Sequence, residues 1–312
     1  MLELIFSVDF FFAIFRITAP ILLVTLAAVI CEKAGVSNIG LEGTMMISAL
    51  FGSLFAYYAK NWFVGTMVAV LTGVVVSLLM GFFAFNMQTD IILTGTAINM
   101  IGSGGTIFLV KVITGITEGT QMTSTNGLIT GILQIPVLNI PIIKDIPVLG
   151  GILSGHCILT YVAFILVYLT WVLLYKTPLG LNIRSVGENP NAASSVGVSV
   201  IRIKYIAFIL SGVLSGLSGA YMSMYYAMGW SQNMVAGRGF IALAAQAMGS
   251  GEPLGAMLAA LIFGFAQALS VKVSSLGVNS FLVSPIPYAV TIVGLVIFAI
   301  MHNRRAMKKR KT

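Results

Sequence analysis

Apolar runs of roughly 20 residues, the length that crosses the hydrocarbon core of a bilayer, recur from one end of this sequence to the other. Lipid offers no partners for backbone N–H and C=O groups, so such runs must close their hydrogen bonds within helices or a closed barrel. They lack strict polar/apolar alternation, which selects helices. The runs lie near residues 8–30, 40–58, 63–86, 91–112, 157–175, 204–228, 254–271 and 284–301, and a shorter piece, 239–249, either crosses or re-enters. The expected fold is all-α: a polytopic transmembrane helix bundle of about 8–10 spans, one domain over residues 1–312. With 58% hydrophobic and 8% charged residues, against roughly 25% charged in soluble domains, an ordinary globular protein is excluded.

Charge orients the bundle. The loop 176–204 holds Lys176, Arg184, Arg202 and Lys204 against one acid, Glu188. Together with a basic tail at 302–312 it marks the cytoplasmic side. Six of the seventeen basic residues fall between Arg304 and Lys311, so the net charge of +8 reflects a tail that marks the cytoplasmic end of a span, with attraction to anionic lipid as the alternative, rather than a nucleic-acid face. The segment 113–156 is then extracellular. Its length, its Gly, Thr and Asn content and Pro136, Pro141 and Pro147 suit a functional cover whose apolar flanks pack on the bundle. The first residues, MLELIFSVDFF, carry acids and no basic stretch, unlike a cleaved signal peptide.

Small residues recur at four-residue spacing, as in Ser48, Gly52, Ala56; Gly73, Ser77, Gly81; and Ser211, Ser215, Gly219 beside Gly212 and Gly216. Such stripes let helices approach closely. VGTMVA at 64–69 is echoed by LGAMLA at 254–259, the kind of similarity an inverted repeat leaves in a transporter. Cys31 and Cys157 suggest neither disulfide nor metal site. No GxxxxGK[ST], HExxH, GxSxG or CxxC occurs, so neither ATP binding nor enzyme chemistry is expected on this chain.

Within the basic loop, Pro190 to Val196 suits a short helix capped by Asn189, with Pro190 at the first helical position, where its missing N–H costs nothing. The stretch G-E-N-P-x-A-A-x-x-x-G-V, followed by KYIAFILSGVLSGLSGAYMS, resembles the permeases of ATP-binding cassette importers in the ribose and branched-chain amino acid superfamily, closest to their nucleoside-type branch. EKAGVSNIGLEGTMM at 32–46, TGTAIN at 94–99 and GRGFIALAAQAMG at 237–249 are similar to the same branch.

The resemblance implies a plasma-membrane importer subunit in a bacterium that moves a nucleoside by alternating access. Its implied partners are ATPase subunits holding ATP and Mg, a second homologous permease and an extracytoplasmic solute-binding lipoprotein; no cofactor sits on this chain. The residues implied to couple to the ATPase are Gly187, Glu188, Asn189, Pro190, Ala192, Ala193 and Gly197. Permeases for simple sugars or branched-chain amino acids, and a stand-alone ion-coupled transporter, are the competing readings.

Polar groups inside lipid are costly and tend to face cavities. Among the ionisable candidates, Glu42 suits the first turn of a helix opened by Ser37 and Asn38, Asp90 a turn, Arg16 a structural role, and Arg238 the start of a half-helix at depth. With the amides, the candidate solute path is Asn38, Glu42, Thr96, Asn99, Arg238 and Gln246, while Gln232 and Asn233 also offer paired donors and acceptors.

Overall fold

Helix α1 (Val8–Lys33) carries an unbroken buried run from Ile17 to Cys31, and 89% of its most apolar stretch is covered by protein. It is therefore the spine of the bundle rather than a lipid-facing helix. The computed structural model describes residues 7–114, 134–138 and 149–275, together with 285, 289–290, 292–294 and 296. Pro20 lies inside α1, and a proline there leaves the carbonyl four residues earlier without its helical donor. That carbonyl belongs to Arg16, and the Tyr221 hydroxyl donates to it at 2.9 Å.

After α1 the chain turns through Gly35 into α2 (Leu41–Ala59) and, past Lys60 in a left-handed conformation, into α3 (Trp62–Gly81), capped by Asn61. A π-turn at Phe82–Asn86 extends α3. Asp90 caps α4 (Ile91–Met100), accepting from the N–H groups of Ile92 and Leu93 at 2.8 and 2.9 Å. Asp90 thus occupies the turn expected of it, as the cap of the helix that follows. A π-turn at Ile101–Gly105 joins α4 to α5 (Thr106–Thr114).

The segment expected to cover the bundle is described only in part. Strand β1 (Val137–Leu138) pairs antiparallel with β2 (His156–Cys157), with α6 (Leu149–Leu153) before β2. Ile135 is buried, and its N–H donates to the Met224 carbonyl. Pro141 and Pro147 lie outside the described residues.

Next come α7 (Ile158–Lys176), α8 (Pro178–Glu188), α9 (Pro190–Ser195), α10 (Val200–Tyr221, extended by a π-turn at Met222–Tyr226), α11 (Arg238–Met248) and α12 (Pro253–Ser275). Helix α8 occupies what reads in the sequence as loop. Thr177 caps it, Pro178 starts it, and Gly180, Ile183 and Val186 form a buried stripe. Helix α10 packs on α1, α2 and α3, and α12 and α11 pack on α1. The small-residue stripes set these distances. A Cβ on Gly73 would lie 2.3 Å from the Gly212 carbonyl oxygen, and one on Gly216 2.6 Å from that of Ala69, so α3 and α10 touch backbone to backbone.

Six helices among the described residues are long and apolar enough to cross a membrane: α1, α3, α4 with α5, α7, α10 and α12, several with their π-turns. Helix α2, with Glu42 in its first turn, is not among them. At 11 residues, or about 16 Å at the helical rise per residue, α11 is too short to span a bilayer. The expected span at 284–301 lies mostly, and the tail at 302–312 wholly, outside the described residues.

The echoed hexapeptides occupy matching positions. Each lies in the opening turns of a long helix, α3 or α12. A Cβ on Gly65 would meet Ala56 and Gly52 of α2, and one on Gly255 would meet Gly249 just past α11.

Candidate functional site

Helices α2 and α11 begin against each other. A Cβ on Gly239 would lie 2.6 Å from the Glu42 nitrogen, so two helix N-termini, each with unsatisfied N–H groups and a partial positive charge, converge at one point. The Glu42 carboxylate resolves the conflict, accepting from the N–H groups of Gly237 at 2.8 Å and Gly239 at 2.7 Å. Sequence reasoning put Glu42 at the cap of its own helix; in the fold it caps α11. The loop before α11 reaches this point through left-handed residues at Asn233, Ala236 and Gly237.

Arg238 opens α11 as expected, but its guanidinium folds back. It donates to the carbonyls of Met234 and Val235 at 3.1 and 3.0 Å and lies 5.0 Å from the centre of the Tyr226 ring. Arg16 approaches the same ring at 5.1 Å. Asn38 is buried, donating to Ser211 Oγ and accepting from the Gly40 N–H, so it pins the α1–α2 turn to α10. Asn99 accepts from the Gly43 N–H at 2.8 Å and donates to the Ile39 carbonyl at 2.9 Å, tying α4 to the start of α2.

The convergence point borders a cavity of about 450 Å³. Helix α2 contributes Glu42, Gly43 and Met46; α4 and its π-turn contribute Thr96, Asn99, Met100 and Ser103. Asn233, Gly237 and Phe240 close it from the α11 side. Three of the expected path residues, Glu42, Thr96 and Asn99, thus share one cavity, whereas Asn38 and Arg238 support it from outside the lining. Sequence reasoning missed Met46, Met100 and Phe240. Phe240 had one legible signal, its position immediately after the Gly237–Gly239 break.

Gln246 faces a second cavity, of about 830 Å³, at the other end of α11. Lys33, Tyr175, Arg184, Glu188 and Glu252 line it too. Lys33 Nζ lies 2.9 Å from Glu252 Oε1, the Tyr175 hydroxyl donates to that same oxygen, and the Arg184 guanidinium covers the Tyr175 ring at 4.8 Å. Partial burial pushes the Glu252 carboxyl up, but the Tyr175 hydroxyl and the Lys33 ammonium outweigh it and hold it below the usual carboxylate value.

The expected coupling residues form a contiguous structure next to this second cavity. Asn189 caps α9, accepting from the Ala192 N–H at 3.0 Å, and Gly197 ends it at φ +88. Pro190, Ala192 and Glu188 are exposed, while Ala193 turns inward and is buried. Val196, at the tip, is 79% exposed. Gly187 seats the end of α8 on α1: a Cβ there would lie 2.2 Å from the Lys33 carbonyl oxygen, and Gly35 opposite has φ +71.

Comparison with known proteins follows the same lines. The guanosine ABC transporter permease protein NupQ of Bacillus subtilis (strain 168) is 37% identical over 293 residues, covering 90% of this chain and 88% of that protein. The nucleoside ABC transporter permease proteins NupC and NupB of Lactococcus lactis subsp. cremoris (strain MG1363) are 32% and 25% identical, over 90% and 80% of this chain and 89% and 68% of their own lengths. The family model described as branched-chain amino acid transport system / permease component matches residues 10–301. With a helical bundle of apolar rods and a match over nearly its whole length, this multi-pass membrane protein belongs to the branched-chain amino acid transport system permease family.

Proposed function

We propose that this chain is the transmembrane permease subunit of an ATP-binding cassette importer that takes up nucleosides across a bacterial plasma membrane. The observation that carries the reading is the 37% identity to a guanosine permease across 90% of the chain. ATP and Mg act on partner ATPase subunits, and a solute-binding lipoprotein delivers the solute. Similarity to both NupC and NupB of one organism supports a second, homologous permease as partner.

The route proposed for the solute begins at the cavity bounded by Glu42, Thr96 and Asn99 and passes along α11 toward Gln246. The route proposed for force begins where the ATPase presses on Glu188, Asn189, Pro190 and Ala192. It continues through Gly187 to Gly35 and then along the α1–α2 turn to Glu42, whose carboxylate holds α11. A contiguous path of backbone contacts and hydrogen bonds suits such a coupling because packed elements shift between discrete arrangements rather than deform continuously.

The test is purification of the tagged chain with its co-expressed ATPases and binding protein, reconstitution in liposomes, and ATP-driven uptake of labelled guanosine in competition with other nucleosides, ribose and leucine. Nucleosides are expected to compete and the other two to leave uptake unchanged. Competition by ribose or leucine without competition by nucleosides overturns the assignment. Uptake by this chain alone, without ATP, overturns the whole class.

A further inference from the structure

We infer that Asn233 and Phe240 are the residues that read the solute in the 450 Å³ cavity, the ring lying on the face of a neutral heteroaromatic base and the carboxamide meeting its polar edge. The inference rests on the nucleoside reading above and names the contacts within that same site. It follows from asking which polar atoms in the lining are already committed.

Both Glu42 oxygens accept backbone N–H groups. Asn99 spends its oxygen on Gly43 and its nitrogen on Ile39. The Thr96 hydroxyl proton goes to the Ile92 carbonyl and that of Ser103 to the Met100 carbonyl. The Asn233 side chain lines the cavity, is exposed, and makes no hydrogen bond among the described residues. An amide brings a donor pair and an acceptor on one planar group, which suits a base edge presenting both.

Asn233 is also held where it is by backbone geometry. Its φ of 57 lies in the left-handed region that Asn tolerates better than most residues. Next to it, Phe240 is 51% exposed while lining the same space. The remaining apolar lining is thioether, from Met46 and Met100. A stacking ring with adaptable sulfur neighbours accepts flat solutes of more than one size.

Charge narrows the solute class. The single carboxylate in the lining is satisfied by the Gly237 and Gly239 N–H groups at the positive end of α11, so the cavity has no ionic partner left for a charged solute. A free carboxamide, an aromatic ring and about 450 Å³, within the range of small-molecule sites, describe a receptor for an uncharged base bearing hydrogen-bonding groups.

The experiment uses the complete importer in liposomes with its binding protein saturated, so that differences in rate report the permease. Phe240→Ala is expected to lower guanosine uptake roughly tenfold, as loss of one base–aromatic stack implies. Phe240→Leu, which keeps bulk without the ring, is expected to behave like Ala, and Phe240→Tyr to retain uptake. Asn233→Asp keeps shape and backbone preference but loses the donors, and is expected to erase the preference for guanosine over purine riboside, which lacks exocyclic groups.

Complex yield and helicity should match the parent in all four variants. Guanosine rates and preferences unchanged in Phe240→Leu and Asn233→Asp would overturn the inference while leaving the nucleoside reading standing. A parent complex that moves ribose and no nucleoside overturns both.

Discussion

At the scale of single residues, the interior of this bundle is governed by where displaced backbone groups find partners. Pro20 frees the Arg16 carbonyl and Tyr221, fully buried on α10, supplies the missing donor, with Thr160 Oγ1 3.2 Å from the same hydroxyl. Tyr221→Phe leaves a buried acceptor unsatisfied, a loss of about 1–3 kcal/mol, and a lowered melting temperature in detergent with unchanged helicity is the expected result. His156 sits at the strand end of the bundle, stacked 4.0 Å from the Phe12 ring with Nε2 2.9 Å from the Ile152 carbonyl oxygen. Burial pushes its pKa below the usual 6.5, the Ile152 carbonyl offsets part of this, and the Arg16 charge adds to it. The unfolded chain therefore takes up the proton first. The contribution of His156 to stability is complete above pH 6.5 and is lost as pH falls from there through the folded value. Melting temperatures measured across that window should decline in the parent, with a flatter profile in His156→Gln.

At the scale of elements, α8 and α11 show why a chain of apolar spans is not a set of parallel rods. Helix α8 lies at the end of α7 and is fastened to α1 by a contact with no room for a side chain at Gly187. Gly187→Val must separate α8 from the α1–α2 turn. The expected outcome is ATP hydrolysis that no longer responds to loaded binding protein, in a complex that still contains its ATPases. Retained stimulation would remove Gly187 from the coupling route. Helix α11 is held at one end by Glu42, while the turn after it is held by Lys33 and Tyr175 through Glu252. All three anchors come from other helices, so its position reports theirs.

At the scale of the whole molecule, the two cavities lie at opposite ends of α11, and the larger one adjoins α8, next to α9. If the ATPases dock as proposed, they meet this face, and a thiol introduced as Ser194→Cys, on an exposed position of α9, is expected to react with an impermeant reagent only after the membrane is opened. Labelling in sealed cells would reverse the orientation. Much of this was legible beforehand. The long runs predicted the apolar rods, because backbone in lipid has no alternative to the helix. The Asn189–Pro190 pair predicted α9, because capping chemistry is local, and the small-residue stripes predicted a tightly packed bundle, though not that α3 would be the helix packed on α10. Helix α8 was also written locally, in Thr177–Pro178, but basic residues and a low apolar content disguised it as loop. What the sequence by itself determined is therefore whatever depends on neighbours within a few residues or on burial in lipid: the rods, the caps and the small-residue faces. Only the tertiary structure decided that Glu42 caps a helix nearly 200 residues away, that Asn38 and Asn99 spend their amides on scaffolding, and that Asn233 and Phe240 are left facing open space. A polar side chain becomes structural or available according to which donors the fold brings within about 3 Å, and that distance is set by packing between segments far apart in the chain.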